Sequence, residues 1–498
     1  MSMLELGFWS FPVLLVLIFL RAPIGLAMML CGIGGLWMAL GSPDVVLARL
    51  KSETYSTFSS YSLSIIPIFL LMGQFATLSG MSQALFKAAE SWLGHRKGGV
   101  AMASVGACAG FGAICGSSLA TAATMSRVAL PELRRNGYSG GFSTATLAAG
   151  GTLGILIPPS VILVIYAILT EQNIAKLFLA AFIPGVLTAI GYMITISLYV
   201  RRYPEAAGHR DPVPYAARVR ALIDVWPVLL VFGLVVGGIY LGWFTPTEGA
   251  AVGAAGTGLI ALLSGNLSWD VFKQSIIQTA VSTAMIFFIV LGAAFYNGFL
   301  ALTQVPQELS NWVVEMGLSP FMVLSLILLF YLVFGCLMDS LSMILLTIPI
   351  FFPVISVMDF GFVDLAVMQA DAARDVLAAG IPEGMTQEML ASIQSAMATG
   401  MELTREQMQA LDIRVTQGMA NRIEAEWVAI WFGILVLIVV EVGLITPPVG
   451  MNLFIINSMD RNTPMMETYK AVIWFVASDL VRVILLVLFP AITLFWLY

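Results

Sequence analysis

Four short stretches place oxygen-bearing side chains and breakable backbone inside otherwise apolar runs. They are Cys115-Gly116-Ser117-Ser118, Leu156-Ile157-Pro158-Pro159-Ser160, Leu337-Met338-Asp339-Ser340 and Ile445-Thr446-Pro447-Pro448. Proline has no amide proton to give and frees carbonyls one turn back along a helix. Unpaired backbone at membrane depth persists only where it lines a cavity or binds something. Freed carbonyls with Ser and Thr hydroxyls are hard oxygen ligands, suited to Na+. The N-termini of half-helices point positive dipole ends at an anion. Asp339 in the middle of an apolar segment reads either as a functional carboxylate or as the cap of a broken helix. The chemistry these residues suit is the joint, non-covalent holding of a cation and an anion, and no catalytic cluster accompanies them.

The elements that must position them are membrane helices. Of 498 residues, 59% are hydrophobic and 10% charged, against roughly 25% charged in soluble domains. The first apolar run, Phe8 to Leu20, has no positive n-region before it and no small-residue cleavage site after it, so it is read as a retained span. Further spans are expected near 23–41, 55–78, 142–170, 174–200, 225–243, 247–264, 280–300, 427–446 and 471–497, each near the ~20 apolar residues a crossing needs. The net charge of −6 says little about partners. Cys31, Cys108, Cys115 and Cys336 have no metal-ligand spacing and His95 and His209 fall in polar loops, so no disulfide, zinc or haem site is predicted. There is no Walker loop, so ATP hydrolysis is excluded and energy must come from an ion gradient or a partner. Trp9, Trp37, Trp243 and Trp496 lie near span ends, as interfacial anchors do.

Two apolar segments, 98–133 and 319–356, are too long for one crossing and are interrupted in the middle. Basic residues flank the first on both sides, His95-Arg96-Lys97 and Arg134-Arg135. Both ends then face the cytoplasm, where Lys and Arg accumulate, and the segment must enter and return. An arm on either side of Gly116-Ser117-Ser118 reaches ~25 Å at the helical rise. Small residues along it permit close helix packing. This is a re-entrant hairpin with an open tip. The second segment is its counterpart, with Asp339 at the tip.

The halves repeat. Phe11-Pro12 matches Trp226-Pro227 at an offset of 215, Ile68 to Gly73 resembles Phe287 to Gly292 at 219, and Ala129-Leu130-Pro131 resembles Thr347-Ile348-Pro349 at 218. Pro158-Pro159 returns as Pro447-Pro448 at 289, a jump of 71 residues. The extra length coincides with residues 359–426, which hold 11 Asp or Glu and 4 Arg. Val363 to Ala379 reads as an amphipathic helix stopped by Gly380 and Pro382, and Thr404 with Gln407 as a capping box. The chain thus divides into a first repeat, 1–215 (hairpin 98–133, broken helix 142–170), and a second, 216–498 (hairpin 319–356, broken helix 427–457), with 359–426 as an inserted polar helical appendage. If the halves are inverted, the insert lies in the periplasm.

At these residues the sequence resembles the large membrane subunit of the tripartite ATP-independent periplasmic (TRAP) transporters. The motifs are Gly116-Ser117-Ser118 with Ala120-Thr121-Ala122, Gly150 to Ser160, Thr245-Pro246-Thr247-Glu248 and Gly443 to Asn452, and the resemblance covers nearly the whole chain except 359–426. It implies an all-α polytopic protein of the bacterial inner membrane with two inverted repeats, an elevator with a fixed scaffold and a mobile transport domain. It implies sodium-coupled import of a small organic acid delivered by a periplasmic binding protein, with a smaller four-helix membrane subunit alongside. Na+ is the coupling ion and no other cofactor is implied. Carried onto this chain, the resemblance favours Ser117, Ser118, Thr121, Gly151 and Thr152 for one sodium site, beside Pro158, and Asp339, Thr446, Pro447 and Asn452 for the other. Ser117, Thr152, Asp339 and Thr446 are the direct ligands it points to. The acidic insert departs from the family pattern.

Other readings share these features. A stand-alone Na+/dicarboxylate or anion symporter needs no binding protein, and a channel needs a continuous pore. Glu248, at a helix start, suits the dipole. Glu441 faces either the cavity or a scaffold interface. Arg127 either pairs with a substrate carboxylate or snorkels to the cytoplasmic face.

Overall fold

A computed structural model describes residues 2–78, 80–208, 210–382 and 385–497, and His209 lies outside the described residues. Every regular element in them is helical. The chain opens with α1 (Met3–Phe19), α2 (Ile24–Leu40), α3 (Pro43–Ser59) and α4 (Ile65–Leu78). The span expected at 55–78 is not continuous: α3 stops at Ser59 and the chain bends by 55° before α4. The break falls in the serine-rich stretch Ser59-Ser60-Tyr61-Ser62, and α3 before it carries Asp44, Arg49, Lys51 and Glu53. Next come α5 (Met81–Leu93), α6 (Gly99–Cys115), α7 (Ser118–Arg135), α8 (Gly140–Leu156), α9 (Val161–Thr170) and α10 (Ile174–Arg202).

The order then recurs. After α11 (Tyr215–Asp224) come α12 (Trp226–Tyr240), α13 (Pro246–Leu263), α14 (Trp269–Thr303), α15 (Val305–Glu315), α16 (Pro320–Gly335) and α17 (Ser340–Ser356). Three polar helices intervene, α18 (Leu365–Ala379), α19 (Gln387–Thr399) and α20 (Arg405–Ala410). The chain ends with α21 (Gln417–Ile445), α22 (Met451–Met459), α23 (Met465–Leu488) and α24 (Ala491–Leu494). By length and composition α10, α14, α21 and α23 can each cross a membrane alone, and up to 7 spans exist if each bent helix pair counts as one. Trp9, Trp37, Trp243 and Trp496 are all exposed, as interfacial anchors are.

Packing exchanges partners between the halves. In the outer layer α2 lies along α14, and α13 along α4. In the inner layer α6 and α7 pack on α8, while α16 and α17 pack on α21. The short helices cross over: α9 packs on α17, and α22 on α7. At the centre, the most apolar stretch of α21 is entirely buried, as a helix hydrophobic on all faces must be. Glycines set the closest approaches. A Cβ on Gly112 would meet the Gly154 Cα at 2.5 Å, and one on Gly443 the Gly335 carbonyl carbon at 2.6 Å. Neither helix pair could pack so closely with larger residues.

The helices α18 to α20 gather a small core of their own around Ala373, Ile393, Leu403 and Leu411. Asp364 caps α18, so that helix starts two residues later than the pattern from Val363 predicts, and Thr404 with Gln407 forms the capping box of α20. The Glu424 carboxylate accepts from the amides of Phe360 and Gly361 at 3.1 and 2.9 Å, tying the root of this appendage to α21.

Candidate functional site

Both hairpins open where their sequences weaken the helix. α6 ends at Cys115 because Gly116 turns left-handed, φ +64°, a conformation that side chains with a Cβ resist. Ser117 then caps α7, its hydroxyl accepting from the Ala120 amide at 3.4 Å. The second hairpin breaks after Gly335, and Asp339 caps α17. One Asp339 oxygen accepts from the Ser342 amide at 3.1 Å and the other from the Ser342 hydroxyl. Asp339 is thus a cap, and it is also only partly buried and open to the cavity described next.

The two tips meet. Gly116, Ser117, Ser118, Asp339, Ser340 and Leu341 line one cavity of ≈170 Å³, closed on its other sides by Ile155, Val161 and Ile162 of the first broken helix and Ser282, Met285 and Ile286 of α14. That is several times the room a single water needs. Residues more than 220 positions apart in the chain therefore share one wall. N-termini of both α7 and α17 open there; the α17 dipole is already met by its Asp339 cap, while α7, with a neutral Ser117 cap, leaves its amide dipole favourable to an anion.

Behind the first tip lies a nest of oxygens. A Cβ on Gly154 would stand 2.5 Å from the Thr121 hydroxyl and 2.7 Å from the Ser117 carbonyl, and one on Gly151 would stand 3.3 Å from the Ser118 carbonyl. Thr121 is fully buried, and its hydroxyl closes no full hydrogen bond but faces the Cys115 thiol. The Ser117 and Ser118 carbonyls and the Thr121 hydroxyl are oxygens of the kind a hard cation such as Na+ takes, packed here against Gly151 and Gly154 beside the tip cavity rather than lining it.

The other expected residues are placed differently. Thr152 is buried, but its hydroxyl donates to the Ala149 carbonyl at 2.6 Å and pairs with the Tyr192 hydroxyl at 3.1 Å, away from the tip. Pro158 and Pro159, joined by a cis bond, form the break between α8 and α9, with Ser160 capping α9. The second break, Thr446-Pro447-Pro448, is likewise cis at Pro447-Pro448 but does not line the shared cavity. The Thr446 hydroxyl donates to Val442 at 2.6 Å. Here α22 begins at Gly450, with no side-chain cap. Asn452 is fully buried, its amide reaches the Ala148 carbonyl at 3.4 Å, and its Oδ1 is unpartnered. Asn452 thus touches the first half's broken helix.

Three further residues are settled. Glu248 closes a capping box with Thr245, its carboxylate accepting from the Thr245 amide at 2.8 Å. Arg127 is exposed on α7 and does not line the cavity. Glu441 is buried and accepts from the Ser340 hydroxyl at 2.6 Å. The glycine pairs and the Glu441 contact were outside the reach of sequence reasoning, because they depend on which helices touch. The small-residue spacing of Gly150, Gly151 and Gly154 was the one available signal.

Comparison with known proteins agrees with this architecture. A family model described as "Tripartite ATP-independent periplasmic transporter, DctM component" matches residues 11–492. The C4-dicarboxylate TRAP transporter large permease protein DctM of Pseudomonas aeruginosa is 32% identical over 93% of this chain and 92% of its own length. The sialic acid TRAP transporter permease protein SiaT of Haemophilus influenzae is 26% identical over 97% of this chain, which spans 66% of that longer protein. Among solved structures, the Alcanivorax borkumensis YdaH transporter shares the fold at a TM-score of 0.57, with 12% identity over 90% of this chain and 89% of the other. With its apolar spans, paired open hairpins and a match over nearly its whole length, the chain is a multi-pass membrane protein that belongs to the DctM family of TRAP transporter large permeases.

Proposed function

We propose that this chain is the large subunit of a sodium-coupled secondary transporter of the bacterial inner membrane, importing a small organic acid handed over by a periplasmic binding protein. The observation that carries the reading is the single cavity walled by both hairpin tips. The half-helix N-terminus of α7, with its neutral Ser117 cap, favours a carboxylate there. The nest around Thr121 and Ser117 supplies the hard oxygens a sodium ion takes, and Asp339 supplies the one formal charge at the tips. The second site is formed by Asn452 with the carbonyls freed at Thr446 and Pro447. A C4-dicarboxylate or a sialic acid-like sugar acid fits the names of the relatives.

The recurring helix order and the exchanged packing support two inverted repeats, 1–215 and 216–498. The inner layer is the mobile part of an elevator and the outer layer its scaffold, beside which a small four-helix subunit packs. The appendage at 359–426 faces the periplasm. Deleting residues 363–425 tests its contact with the binding protein, which then loses affinity for the membrane complex.

The deciding experiment reconstitutes the chain with its small subunit in liposomes and measures uptake of a radiolabelled C4-dicarboxylate and a sialic acid. Accumulation that requires an inward Na+ gradient and added binding protein is expected. Equal uptake without Na+ contradicts the coupling, and full uptake by the chain alone favours the stand-alone symporter.

A further inference from the structure

Thr152 and the glycines beside it use different sides of α8. Gly151 and Gly154 face α7, where an added Cβ would meet the Ala122 side chain at 2.6 Å and the Thr121 hydroxyl at 2.5 Å. At 3.6 residues per turn, Thr152 projects roughly 130° away from the mean direction of that glycine face. Its hydroxyl lies 3.1 Å from the Tyr192 hydroxyl of α10. Tyr192 in turn donates to Asp479 of α23 at 2.8 Å, and the other Asp479 oxygen lies 2.8 Å from a guanidinium nitrogen of Arg482. That guanidinium stands over the Tyr192 ring at 5.8 Å, and Phe475 meets the same ring edge-to-face at 5.6 Å. Thr152, Tyr192 and Asp479 are at most 1% exposed, and Arg482 is 8% exposed.

Both α10 and α23 are long and apolar enough to cross a membrane, and charges inside such helices are costly. A buried ion pair adds little stability of its own, so what matters is what this one fixes. Arginine keeps its proton in proteins, so Asp479 beside it is a carboxylate and only accepts. Tyr192 gives that carboxylate its one phenolic proton and keeps only lone pairs for Thr152. The ion pair and Phe475 thus hold an acceptor oxygen in a fixed place behind α8. We infer that Tyr192, anchored by the Asp479–Arg482 pair, is a positioning residue that sets the rotation of α8 through Thr152, and with it the fit of Gly151 and Gly154 against the first turn of α7. That turn carries Ser118 and Leu119 of the tip cavity, and Ser117 caps it. The inference rests on the sodium-coupled reading above and deepens it: the Thr152 hydroxyl serves the ion site from behind and is not one of its ligands.

The test uses the purified full-length chain with Na+ alone as the probe and choline as the control, and reads the sodium concentration that gives half-maximal thermal stabilisation. Tyr192→Phe keeps the ring and removes the hydroxyl. It is expected to raise that concentration about tenfold or more, as losing an outer support of a metal site does. Thr152→Val is expected to match it, and the double variant to add nothing, because the two act through one contact. Thr152→Ser, which keeps the hydroxyl, is expected to stay near wild type. A sodium midpoint within twofold of wild type in Tyr192→Phe overturns the inference, whether melting in choline falls or not, and so do additive losses in the double variant. Asp479→Asn with Arg482→Gln removes both charges together and leaves no lone charge buried. It is expected to reproduce the Tyr192→Phe shift, and a wild-type midpoint there overturns the role of the ion pair.

A second readout does not depend on sodium. Leu119 lines the tip cavity from the first turn of α7, and all four native cysteines are buried. Maleimide labelling in a Leu119→Cys background therefore reports on that turn. Faster labelling on adding Tyr192→Phe is expected, and an unchanged rate overturns the link from α10 to the tip. If wild type shows no sodium stabilisation while the labelling rate rises, the coupling ion is wrong and the positioning role stands.

Discussion

At the first hairpin tip the returning helix is capped by Ser117, and at the second by Asp339. The two tips share a wall, a helix break and a close glycine pair behind them, Gly112 on Gly154 and Gly335 on Gly443. They differ in charge and in what is left unpaired. The first tip is neutral and leaves a buried Thr121 hydroxyl that closes no full hydrogen bond. The second is anionic, with both Asp339 oxygens engaged by Ser342. The half-helices differ in the same sense: α9 has a serine cap and α22 begins at a bare glycine. The two tips are therefore unlike, one presenting carbonyls and hydroxyls, the other a carboxylate.

The sharpest way to break this comparison is at Asp339. Asp339→Ala removes the cap, which is itself the bond to the Ser342 amide and is worth about 1 kcal/mol, and the charge-assisted bond to the Ser342 hydroxyl, worth about 1.5–3 kcal/mol. Sodium-driven uptake in liposomes is expected to fall by roughly a hundredfold, at about tenfold per 1.4 kcal/mol. Ser117→Ala, which loses only a neutral cap, is expected to cost about tenfold or less on the same scale. Equal losses at the two positions would show that charge does not distinguish the tips.

Gly443→Ala comes next. Its Cβ would sit 2.6 Å from the Gly335 carbonyl carbon and 2.7 Å from its Cα, and backbone cannot swing aside as a side chain can. Overpacking of this kind costs roughly 1–3 kcal/mol, so the melting temperature of the purified chain is expected to drop by several degrees. Replacing Gly191, whose nearest neighbour is the Ser478 hydroxyl at 3.4 Å, is expected to leave melting nearly unchanged.

Thr121→Val sharpens the comparison because its two readouts have opposite signs. Deleting a buried hydroxyl that closes no full hydrogen bond removes a cost of about 1–3 kcal/mol, so thermal stability without sodium is expected to hold or rise. The sodium concentration for half-maximal uptake is expected to rise about tenfold, as for one lost hydrogen bond to a charged group. A variant less stable in choline, with unchanged sodium dependence, would make Thr121 a packing residue.

The smallest effect is expected where the halves are tied. Arg134 at the end of α7 pairs with Asp460 at the end of α22, and Asp460 is buried. No ion pair joins the reciprocal helices α17 and α9 among the described residues. Arg134→Gln leaves that carboxylate with the Thr463 hydroxyl, which donates to it at 2.8 Å, and Arg134 is itself 42% exposed, so water offsets part of the loss. About 1 kcal/mol is expected, between the exposed and buried cases, read as a small fall in melting temperature.

Much of the fold was legible because lipid makes broken helices conspicuous. Gly116 and the proline pairs stand out in apolar sequence, and the chain breaks within a residue or two of them. The second hairpin was found through Asp339, the one charge in its segment. What stayed hidden depended on non-local contact. Thr152 reads as a free hydroxyl until Tyr192, 40 positions away, is seen to engage it. Glu441 was ambiguous until Ser340, 101 positions away, took a side. The span expected at 55–78 is bent at Ser60, where no proline or glycine marks the break in the sequence.

Two open hairpin tips line one cavity. The most direct measurement is a pair of high-resolution density maps of the chain with its small subunit, one in sodium and one in choline. The account predicts helices broken at 115–118 and 335–340 in both, with density beside Thr121 and the Ser117 carbonyl only in sodium. Unbroken helices through those positions, or identical density in both maps, would contradict it.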